Sequence, residues 1–334
     1  MDSLSLVQLA RTLVDIDSTT GQEADCGRWL AAYLRRRGFV VEELPVSGNR
    51  FNVLATMDPP RVVLSTHFDC VPPFIPSRED DGVLYGRGAC DAKGILAAQV
   101  SALERLRSEG AREVGALFLV GEERGSDGAR VANALPNACR FLINGEPTDS
   151  RLGLATRGAL RVRFTAAGRA AHSSFPEAGE SAIEKLLDAL VRLRSVPWPT
   201  CEPLGRTHYT IGLIGGGIAP NVIPPHAEAE VMFRTVGPAA EVLGLLAPAG
   251  NGVRTDVLLE VPAVTLATVP GFETAVFPFT TDIPFLDRWG TPLLFGPGSI
   301  LVAHTDHEQV AVSELHASVD RYVQLATALL AQHA

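Results

Sequence analysis

Histidine and carboxylate side chains recur just past the ends of short apolar segments such as VVLST, ALFLVG and FLING. Apolar β-strands have no structural use for so many acids at their ends. Packed together without partners, these groups would repel one another, and a bound cation is the usual remedy. Imidazole and carboxylate ligands without thiolate suit zinc or a similar divalent ion. The residues concerned are His67, Asp69, Asp91, Glu122, Glu123 and Glu146.

Taken singly, these residues also have ordinary structural explanations. His67 and Asp69 could form a hydrogen-bonded pair without a metal, since a lone His-x-Asp is more often structural. Glu122 and Glu123 could lie in a solvated turn. Asp91 could belong to a loop that caps the next helix. The order and spacing of the set therefore carry more weight than any single member.

The loop GRGACDAKG at residues 86–94 allows two other interpretations. A phosphate-binding loop is excluded because Asp91 stands where the dinucleotide motif needs glycine. Lys93-Gly94 also lacks the Ser or Thr that follows the lysine of a P-loop. Cys90 could be a nucleophile, but no paired base is evident, so a small buried thiol is the favoured interpretation.

Strands and helices alternate in the first 155 residues, which predicts an α/β fold with a largely parallel sheet. Helical spacing runs from Leu6 to Val14, and Thr20 followed by Glu23 resembles a capping box that opens a second helix to about Arg37. Ligand sites of such sheets lie at the carboxyl ends of strands, so the acids and the histidine can share one cleft. The other predicted elements are strands at 39–44, 51–55, 61–66, 114–120 and 139–143 and helices at 94–108 and 126–135.

The order of predicted elements changes after residue 155. A strand–helix–strand–strand–helix–strand series follows, which predicts a small α+β domain. The α/β pattern returns from about residue 264 and ends in an amphipathic helix over 312–330. We therefore expect a domain of residues 156–263 inserted into a larger one made of residues 1–155 and 264–334. The series consists of strands at 156–167, 208–214, 227–235 and 253–261 and helices at 180–194 and 238–247.

Length and composition fit a globular protein of two domains. The chain has 334 residues, of which 46% are hydrophobic and 20% charged, and this excludes a disordered chain. A net charge of −9 argues against non-specific nucleic-acid binding, which needs a basic surface. The five cysteines form no CxxC pair, and the N-terminus lacks a signal-peptide pattern. With no apolar run of membrane-spanning length, we expect a soluble, cytoplasmic protein that binds neither nucleic acid nor membrane.

A series of ordered motifs resembles one family, the dinuclear zinc aminoacylases and carboxypeptidases. This family includes acetylornithine deacetylase, succinyl-diaminopimelate desuccinylase and glutamate carboxypeptidase. The resemblance covers essentially the whole chain. It implies a zinc-exopeptidase-like catalytic domain with a mostly parallel central sheet, and an inserted ferredoxin-like domain that serves as a lid or in dimerisation. The motifs are STHFDCVP (65–72), GRGACDAKG (86–94), GEE (121–123), GEPT (145–148), GRAAHSS (168–174), NVIP (221–224), GPGSI (296–300) and AHTDHE (303–308).

The same resemblance implies two divalent metal ions per subunit, zinc being expected and cobalt the alternative. Asp91 would bridge the two ions. His67 and Glu146 would complete the ligands of one ion, and Glu123 and His304 those of the other. These are ligand types that zinc accepts.

Other residues would act around the metals. Glu122 would be the general base that takes the proton of the attacking water. Asp69 would orient His67 through its second ring nitrogen, as carboxylates behind a metal ligand do. His307 is the alternative to His304 as a ligand, and His304 is favoured by its position relative to the Gly-Pro-Gly loop.

The inserted domain would complete the site. The resemblance assigns oxyanion stabilisation and binding of the substrate carboxylate to His172, Asn221 and Arg234, and a guanidinium matches a carboxylate bidentately. The alternative for His172 is a cap on the helix that begins near Glu180, and for Arg234 a surface arginine at a strand end. In similar dimers this histidine reaches the partner's metal site, so we expect a homodimer.

The expected reaction is hydrolysis of the amide bond of an N-acyl amino acid, as in acetylornithine deacetylase and its relatives. Substrates would be acetylated or carrier-linked ornithine, citrulline or lysine. The alternatives are a metallo-dipeptidase or carboxypeptidase, or an N-succinyl-amino-acid desuccinylase. A catalytically silent binding protein is disfavoured because the chain retains every ligand and the base.

Overall fold

The computed structural model describes residues 4–246 and 252–332. These residues form two compact units. Unit 1 comprises the chain up to residue 154, residues 266–275 and the chain from residue 281 onwards, and unit 2 comprises residues 155–265 and 276–280. The chain therefore passes between the units four times, whereas a single insertion would need two passages.

Helices and strands alternate through much of the described chain. The α-helices are α1 (Leu6–Val14), α2 (Ala24–Arg36), α3 (Lys93–Ser108), α4 (Asp127–Asn133), α5 (Ala182–Arg192), α6 (Ala239–Leu246) and α7 (Val312–Leu330). The strands are β1 (Val40–Ser47), β2 (Arg50–Thr56), β3 (Val62–His67), β4 (Arg78–Asp80), β5 (Val83–Tyr85), β6 (Val114–Leu119), β7 (Phe141–Asn144), β8 (Leu152–Thr156), β9 (Gly158–Ala167), β10 (Thr200–Cys201), β11 (Gly205–Arg206), β12 (His208–Gly216), β13 (His226–Thr235), β14 (Val253–Val261), β15 (Val264–Thr265), β16 (Thr274–Phe277), β17 (Thr291–Leu294) and β18 (Gln309–Ala311).

A six-stranded sheet in the order β1-β2-β6-β3-β7-β17 forms the centre of unit 1. Strands β6, β3, β7 and β17 are parallel, and β2 runs antiparallel to both β1 and β6. Five of these six strands therefore run in one direction. This confirms the predicted α/β fold with a mostly parallel sheet.

Helices cover both faces of the centre of this sheet, which explains why β6 is an unbroken apolar segment. Successive side chains of a strand point to opposite faces. Val62 and Leu64 of β3 accordingly join the core beneath α1, α2, α3 and α7, whereas Val63 joins the core beneath α4 with Trp289. All six residues of β3 are buried, so His67, which ends the strand, is enclosed by neighbouring residues.

A small three-stranded sheet in the order β18-β5-β4 was not predicted from the sequence. Gln309 of β18 pairs antiparallel with Tyr85 of β5, more than 200 positions earlier in the chain. Strands of three residues show no usable periodicity, so only tertiary contact could identify them. This pairing brings the segment before Gln309 next to the loop that follows Tyr85.

Unit 2 contains the series β9-α5-β12-β13-α6-β14, and its antiparallel sheet has the order β12-β13-β9-β14. This is the ferredoxin-like arrangement expected of the α+β segment. Leu186 and Leu190 of α5 pack against Phe164 and Phe233 of the sheet. Strand β12 lies at an edge, and its residues from Thr210 to Gly216 are exposed. The last residue of the predicted helix 238–247 falls outside the described residues.

One local prediction was wrong. Helix α2 begins at Ala24 without a side-chain cap, so Thr20 and Glu23 do not form a capping box. The Thr20 hydroxyl instead donates to Asp69 Oδ2 at 2.8 Å, and the buried Glu23 carboxylate binds Arg50. Both side chains therefore bind residues that are distant in the sequence and do not bind the N-terminus of α2. Helix α1 does have a capping box, between Ser5 and Gln8.

In the part of the chain that the structure describes, no helix is both long and apolar enough to cross a membrane. All five cysteines are free thiols, as the lack of a CxxC pair predicted.

Candidate active site

Three neighbouring parallel strands of unit 1, β6, β3 and β7, end at the same edge of the sheet. His67 is the last residue of β3. Glu122 and Glu123 follow β6 in a short 3₁₀ helix, and Glu146 follows β7. Asp91 comes from the loop before α3. The edge therefore collects one histidine and four acids within a single unit.

His67 is buried, and both of its ring nitrogens face acidic residues. Its Nε2 lies 3.0 Å from Asp91 Oδ1 and 4.0 Å from Glu146 Oε2. Its Nδ1 lies 2.9 Å from the backbone oxygen of Asp69 and 3.4 Å from that residue's Oδ1. Burial by itself lowers the pKa of His67, but hydrogen bonds to the carboxylates outweigh it and hold the pKa well above its usual value. The contact between Nδ1 and the backbone oxygen of Asp69 thus orients the ring so that Nε2 faces the carboxylates of Asp91 and Glu146.

His304 approaches the same acids from the loop after β17. Its Nε2 lies 3.0 Å from Glu123 Oε1 and 3.2 Å from Asp91 Oδ2. Hydrogen bonds to Asp91 and Glu123 raise the pKa of His304 to about 10. Its φ is +63°, in the left-handed region that a residue other than glycine seldom adopts without a compensating contact. The side chain of His307 is exposed and makes no hydrogen bond within the described chain, so His304 is the histidine that reaches the acids.

Asp91 joins the two histidines. Oδ1 faces His67 and Oδ2 faces His304, and the two imidazoles lower the pKa of this carboxyl although burial opposes them. A carboxylate with one oxygen on each side is the geometry that a bridging ligand needs.

Glu122 has a different surrounding from its neighbour Glu123. Asp69 Oδ1 accepts the backbone N–H of Glu122 at 3.1 Å, and Asp69 Oδ2 accepts that of Glu123 at 3.3 Å. The Glu122 carboxylate makes no hydrogen bond within the described residues. Burial and the nearby Glu146 carboxylate raise its pKa well above the usual value. A carboxylate without a hydrogen-bond partner beside this cluster of acids and histidines is available to accept a proton from a substrate or a water.

These residues fit divalent metal ions. Potential ligand atoms of His67, Asp91 and Glu123 all lie within 4.8 Å of one another. Glu146 Oε1 is buried without a hydrogen-bond partner, and a buried carboxylate oxygen in that condition calls for a cation or a proton. Two imidazoles and three carboxylates are ligand types that zinc accepts.

The predicted catalytic residue His172 and the predicted substrate-binding residues Asn221 and Arg234 lie in unit 2. The exposed His172 forms a β-bridge with Val222, and the backbone oxygen of Asn221 accepts the N–H of Ser173 at 3.0 Å, so two loops meet. His172 does not cap helix α5, whose cap is Ser181. Arg234 lies on β13.

The side chain of Arg234 is half-buried and makes no hydrogen bond or ion pair with any described residue. Burial lowers its pKa. A desolvated guanidinium without a partner can take an anionic ligand, which is the role predicted for this residue.

Two buried acids of unit 1 were missed. Glu308 accepts hydrogen bonds from the loop that carries Asp91. Asp282 is buried with both carboxylate oxygens unpartnered, and burial raises its pKa to about 7. The sequence contains only a weak indication of Glu308: Arg87 lies within a loop of small residues, and a buried arginine there needs an acidic partner. No periodic pattern surrounds Asp282.

Cys90 is buried, its Sγ lies 3.5 Å from the backbone oxygen of Ser299, and burial raises its pKa well above the usual value. A thiol in this state is not a nucleophile at neutral pH.

Comparison with known proteins gives a consistent result. Residues 63–328 match the model of peptidase family M20/M25/M40. A peptidase M20 domain-containing protein of Schizosaccharomyces pombe is 37% identical over 96% of this chain and 84% of its own length. A probable carboxypeptidase of Aspergillus clavatus is 35% identical over 97% of this chain and 82% of its own. The fold of a Staphylococcus aureus tripeptidase matches with a TM-score of 0.82 and 20% identity over 98% of both chains.

Proposed function

Because this chain belongs to peptidase family M20/M25/M40, we propose that it is a metal-dependent exopeptidase that hydrolyses the amide bond beside the free carboxylate of a short peptide. The observation that carries the proposal is the cluster of His67, Asp91, Glu123, Glu146 and His304, beside which Glu122 remains free. A relative named as a probable carboxypeptidase supports the carboxypeptidase alternative over the deacetylase that the motifs led us to expect.

Five residues would hold two divalent ions. Asp91 would be shared by the two ions, His67 and Glu146 would bind the first, and Glu123 and His304 would bind the second. Zinc is the proposed metal and cobalt the alternative. When bound, such ions would polarise the substrate carbonyl and lower the pKa of an attacking water.

Glu122 would carry the proton during hydrolysis. Its carboxylate would accept a proton from the attacking water and then deliver it to the leaving nitrogen. Asp69 supports this role because it holds the backbone N–H groups of Glu122 and Glu123 while lying beside His67. The proton acceptor and the ligands are thereby fixed to one another.

Arg234 would bind the substrate carboxylate, and His172 and Asn221 would stabilise the oxyanion. The half-buried, unpaired guanidinium of Arg234 supports the first role. A free carboxylate next to the hydrolysed bond is what distinguishes a carboxypeptidase substrate from an internal peptide bond.

Deacylation of an N-acyl amino acid is the second candidate. The motif Gly296 to Ile300, followed by Ala303-His304, resembles that of acetylornithine deacetylase. Such a substrate presents the same amide and the same carboxylate, so the two candidates differ only in the group on the nitrogen.

One substrate panel separates these candidates. The pure protein, loaded with zinc or cobalt, is incubated with dipeptides, tripeptides, N-acetyl and N-succinyl amino acids and C-terminally amidated peptides, and amine release is measured. We expect hydrolysis of free-carboxylate peptides, none of amidated ones, and loss of activity with a chelator. Faster hydrolysis of N-acetyl amino acids than of any peptide would favour the deacylase, and full activity after metal removal would contradict both.

We also propose that unit 2 pairs two copies of the chain and that His172 acts at the partner's site. Strand β12 supports this because it is an edge strand with exposed apolar residues, which soluble proteins usually cover or blunt. Leu213 and Ile214 are 64% and 58% exposed.

A further inference from the structure

The carboxylate of Glu308 is buried in unit 1 among donors from the loop that carries Asp91. Its Oε1 accepts the backbone N–H groups of Gly88 at 2.9 Å, Cys90 at 3.1 Å and Asp91 at 2.9 Å. Three donors on one carboxylate oxygen form strong, charge-assisted hydrogen bonds. The loop cannot shift without losing them.

Arg87 provides the opposite charge. Its Nη1 lies 2.6 Å from Glu308 Oε2, and the two side chains are 3% and 1% exposed. The same Nη1 donates to the backbone oxygen of Thr305 at 3.1 Å, and Nε donates to that of Pro73 at 3.3 Å. One buried ion pair therefore connects three loops.

The ion pair also links the two segments that reach Asp91 and His304. Strand β18 begins just after Glu308 and pairs with β5, and the backbone oxygen of Glu308 accepts the N–H of Gly86 at 3.1 Å. His304 precedes Glu308 by four residues. Its ring meets Asp91 at 3.2 Å, directly beside the loop that Glu308 holds.

Glu308 is not free to act as a ligand itself. Its Oε1 receives three N–H groups and its Oε2 receives the Arg87 guanidinium. Breaking such a buried pair leaves an uncompensated charge, which is more costly than losing a surface ion pair. The pair therefore acts on the site through the backbone.

We propose that Arg87 and Glu308 are positioning residues that set the spacing between Asp91 and His304 before a metal binds. This inference rests on the proposed roles of Asp91 and His304 as ligands. Its consequence is that metal affinity depends on a pair of residues that do not bind the metal.

The test measures cobalt binding without substrate. Glu308→Gln places an amide N–H₂ against either Arg87 or the loop N–H groups, so we expect cobalt affinity to fall about 10–100-fold, the usual effect of residues behind metal ligands. Arg87→Lys keeps the charge but has a single ammonium that cannot contact Glu308, Thr305 and Pro73 together, so a smaller loss is expected. Affinity is measured by competition with a chromogenic chelator, and the visible spectrum of the cobalt protein should change in both variants.

Glu104→Gln is the matched control. It breaks another ion pair of unit 1, that of Arg37 with Glu104 at 2.8 Å, which makes no contact with these loops, so cobalt affinity should remain that of the wild type. Wild-type affinity and spectrum in both Glu308→Gln and Arg87→Lys would overturn the inference. If Glu308→Gln does not fold, Arg87→Lys alone decides between these outcomes. A wild-type protein that binds no cobalt would overturn the proposed function as well, so the two failures are distinguishable.

Discussion

Glu122 and Glu123 are adjacent in the chain, yet only one of them contacts a histidine. Glu123 Oε1 is 3.0 Å from His304, whereas the Glu122 carboxylate has no hydrogen-bond partner among the described residues. A 3₁₀ helix places successive side chains roughly 120° apart, so neighbours face different surroundings. This divergence assigns them separate roles in the proposed mechanism.

Substitution of the two residues should therefore give different phenotypes. Glu122→Gln should retain metal and lower kcat by about 10²-fold or more, the usual contribution of a general base. Glu123→Gln should weaken metal binding, because it removes the partner of His304. Metal content after dialysis and steady-state rates are measured for both variants. The reverse pattern would show that the two roles are exchanged.

Asp282 gives a prediction for pH dependence in the metal-free protein. Burial raises its pKa from 3.8 to about 7, so the unfolded state loses this proton at a lower pH than the folded state. The free energy of unfolding should then fall as pH rises from about 4 to 7, by at most about 1.4 kcal/mol per pH unit. Asp282→Asn removes this loss and should become more stable relative to the wild type as pH rises through that range.

Asp58 provides a control of opposite sign. Its side chain is 46% exposed and paired with Arg112, whose hydrogen bond lowers the pKa of Asp58. Its contribution to stability is therefore present above the unfolded pKa and lost in acid. Asp58→Asn should lose stability relative to the wild type as pH rises through the acid range. Thermal unfolding at pH 2.5, 4, 6 and 8 compares the variants. A constant difference between Asp282→Asn and the wild type would contradict the pKa assigned to Asp282.

At the scale of elements, helix α3 must begin very close to the loop that carries Asp91. A Cβ at Gly94, the second residue of the helix, would lie 2.1 Å from the backbone oxygen of Ala89. Only glycine allows this approach, so the loop conformation depends on it.

Gly94→Ala should displace the segment from Ala89 to Asp91. We expect a loss of about 1–3 kcal/mol in the free energy of unfolding, as in other overpacked sites, together with weaker metal binding. Gly244→Ala in α6 is the matched control, since a Cβ there meets no atom within 4 Å and alanine is favoured in a helix by about 1 kcal/mol. Urea unfolding and cobalt titration measure both effects. Equal stability of Gly94→Ala and the wild type would show that the loop is not constrained at this point.

Elements with a clear local pattern could be predicted from the sequence, and elements that depend on distant partners could not. β6 is an unbroken apolar segment because helices cover both faces of the sheet, and this pattern is local. β18 and β5 are three residues each and exist because they pair across the chain. The positions of Glu308 and Arg87 follow from that pairing, which explains why the sequence pointed to Asp91 but not to the residues that hold it.

At the scale of the molecule, the exposed apolar residues of β12 predict association through unit 2. Ile214→Lys should convert the proposed dimer to a monomer, because a charged residue on an edge strand opposes strand pairing. Val40→Lys is the control, since Val40 is 60% exposed on β1, an edge strand of the unit 1 sheet. Sedimentation velocity measures the mass in solution. A wild-type monomer that is fully active would rule out the dimer and the shared site.

Mixing inactive variants tests whether His172 acts in the partner subunit. His172→Ala and Glu122→Gln should each bind metal and each lose activity, by about 10²–10³-fold for a lost oxyanion donor. If subunits exchange, a mixed dimer would contain one site with both residues intact. Recovery of activity on mixing, up to a quarter of the wild-type rate per chain, is the expected result. No recovery, despite exchange shown by labelled subunits, would place His172 in its own subunit's site.

The proposed ligands extend from residue 67 to residue 304 of a chain of 334. No N-terminal fragment that stops before residue 304 contains the full set, and Glu308, which holds the loop of Asp91, comes later still. During synthesis the ribosome must therefore translate as far as residue 304 before the set is complete. A nascent chain that has not reached this point carries the three acids and His67 but lacks His304, so a hydrolase of this construction cannot act on a peptide until synthesis has passed that residue.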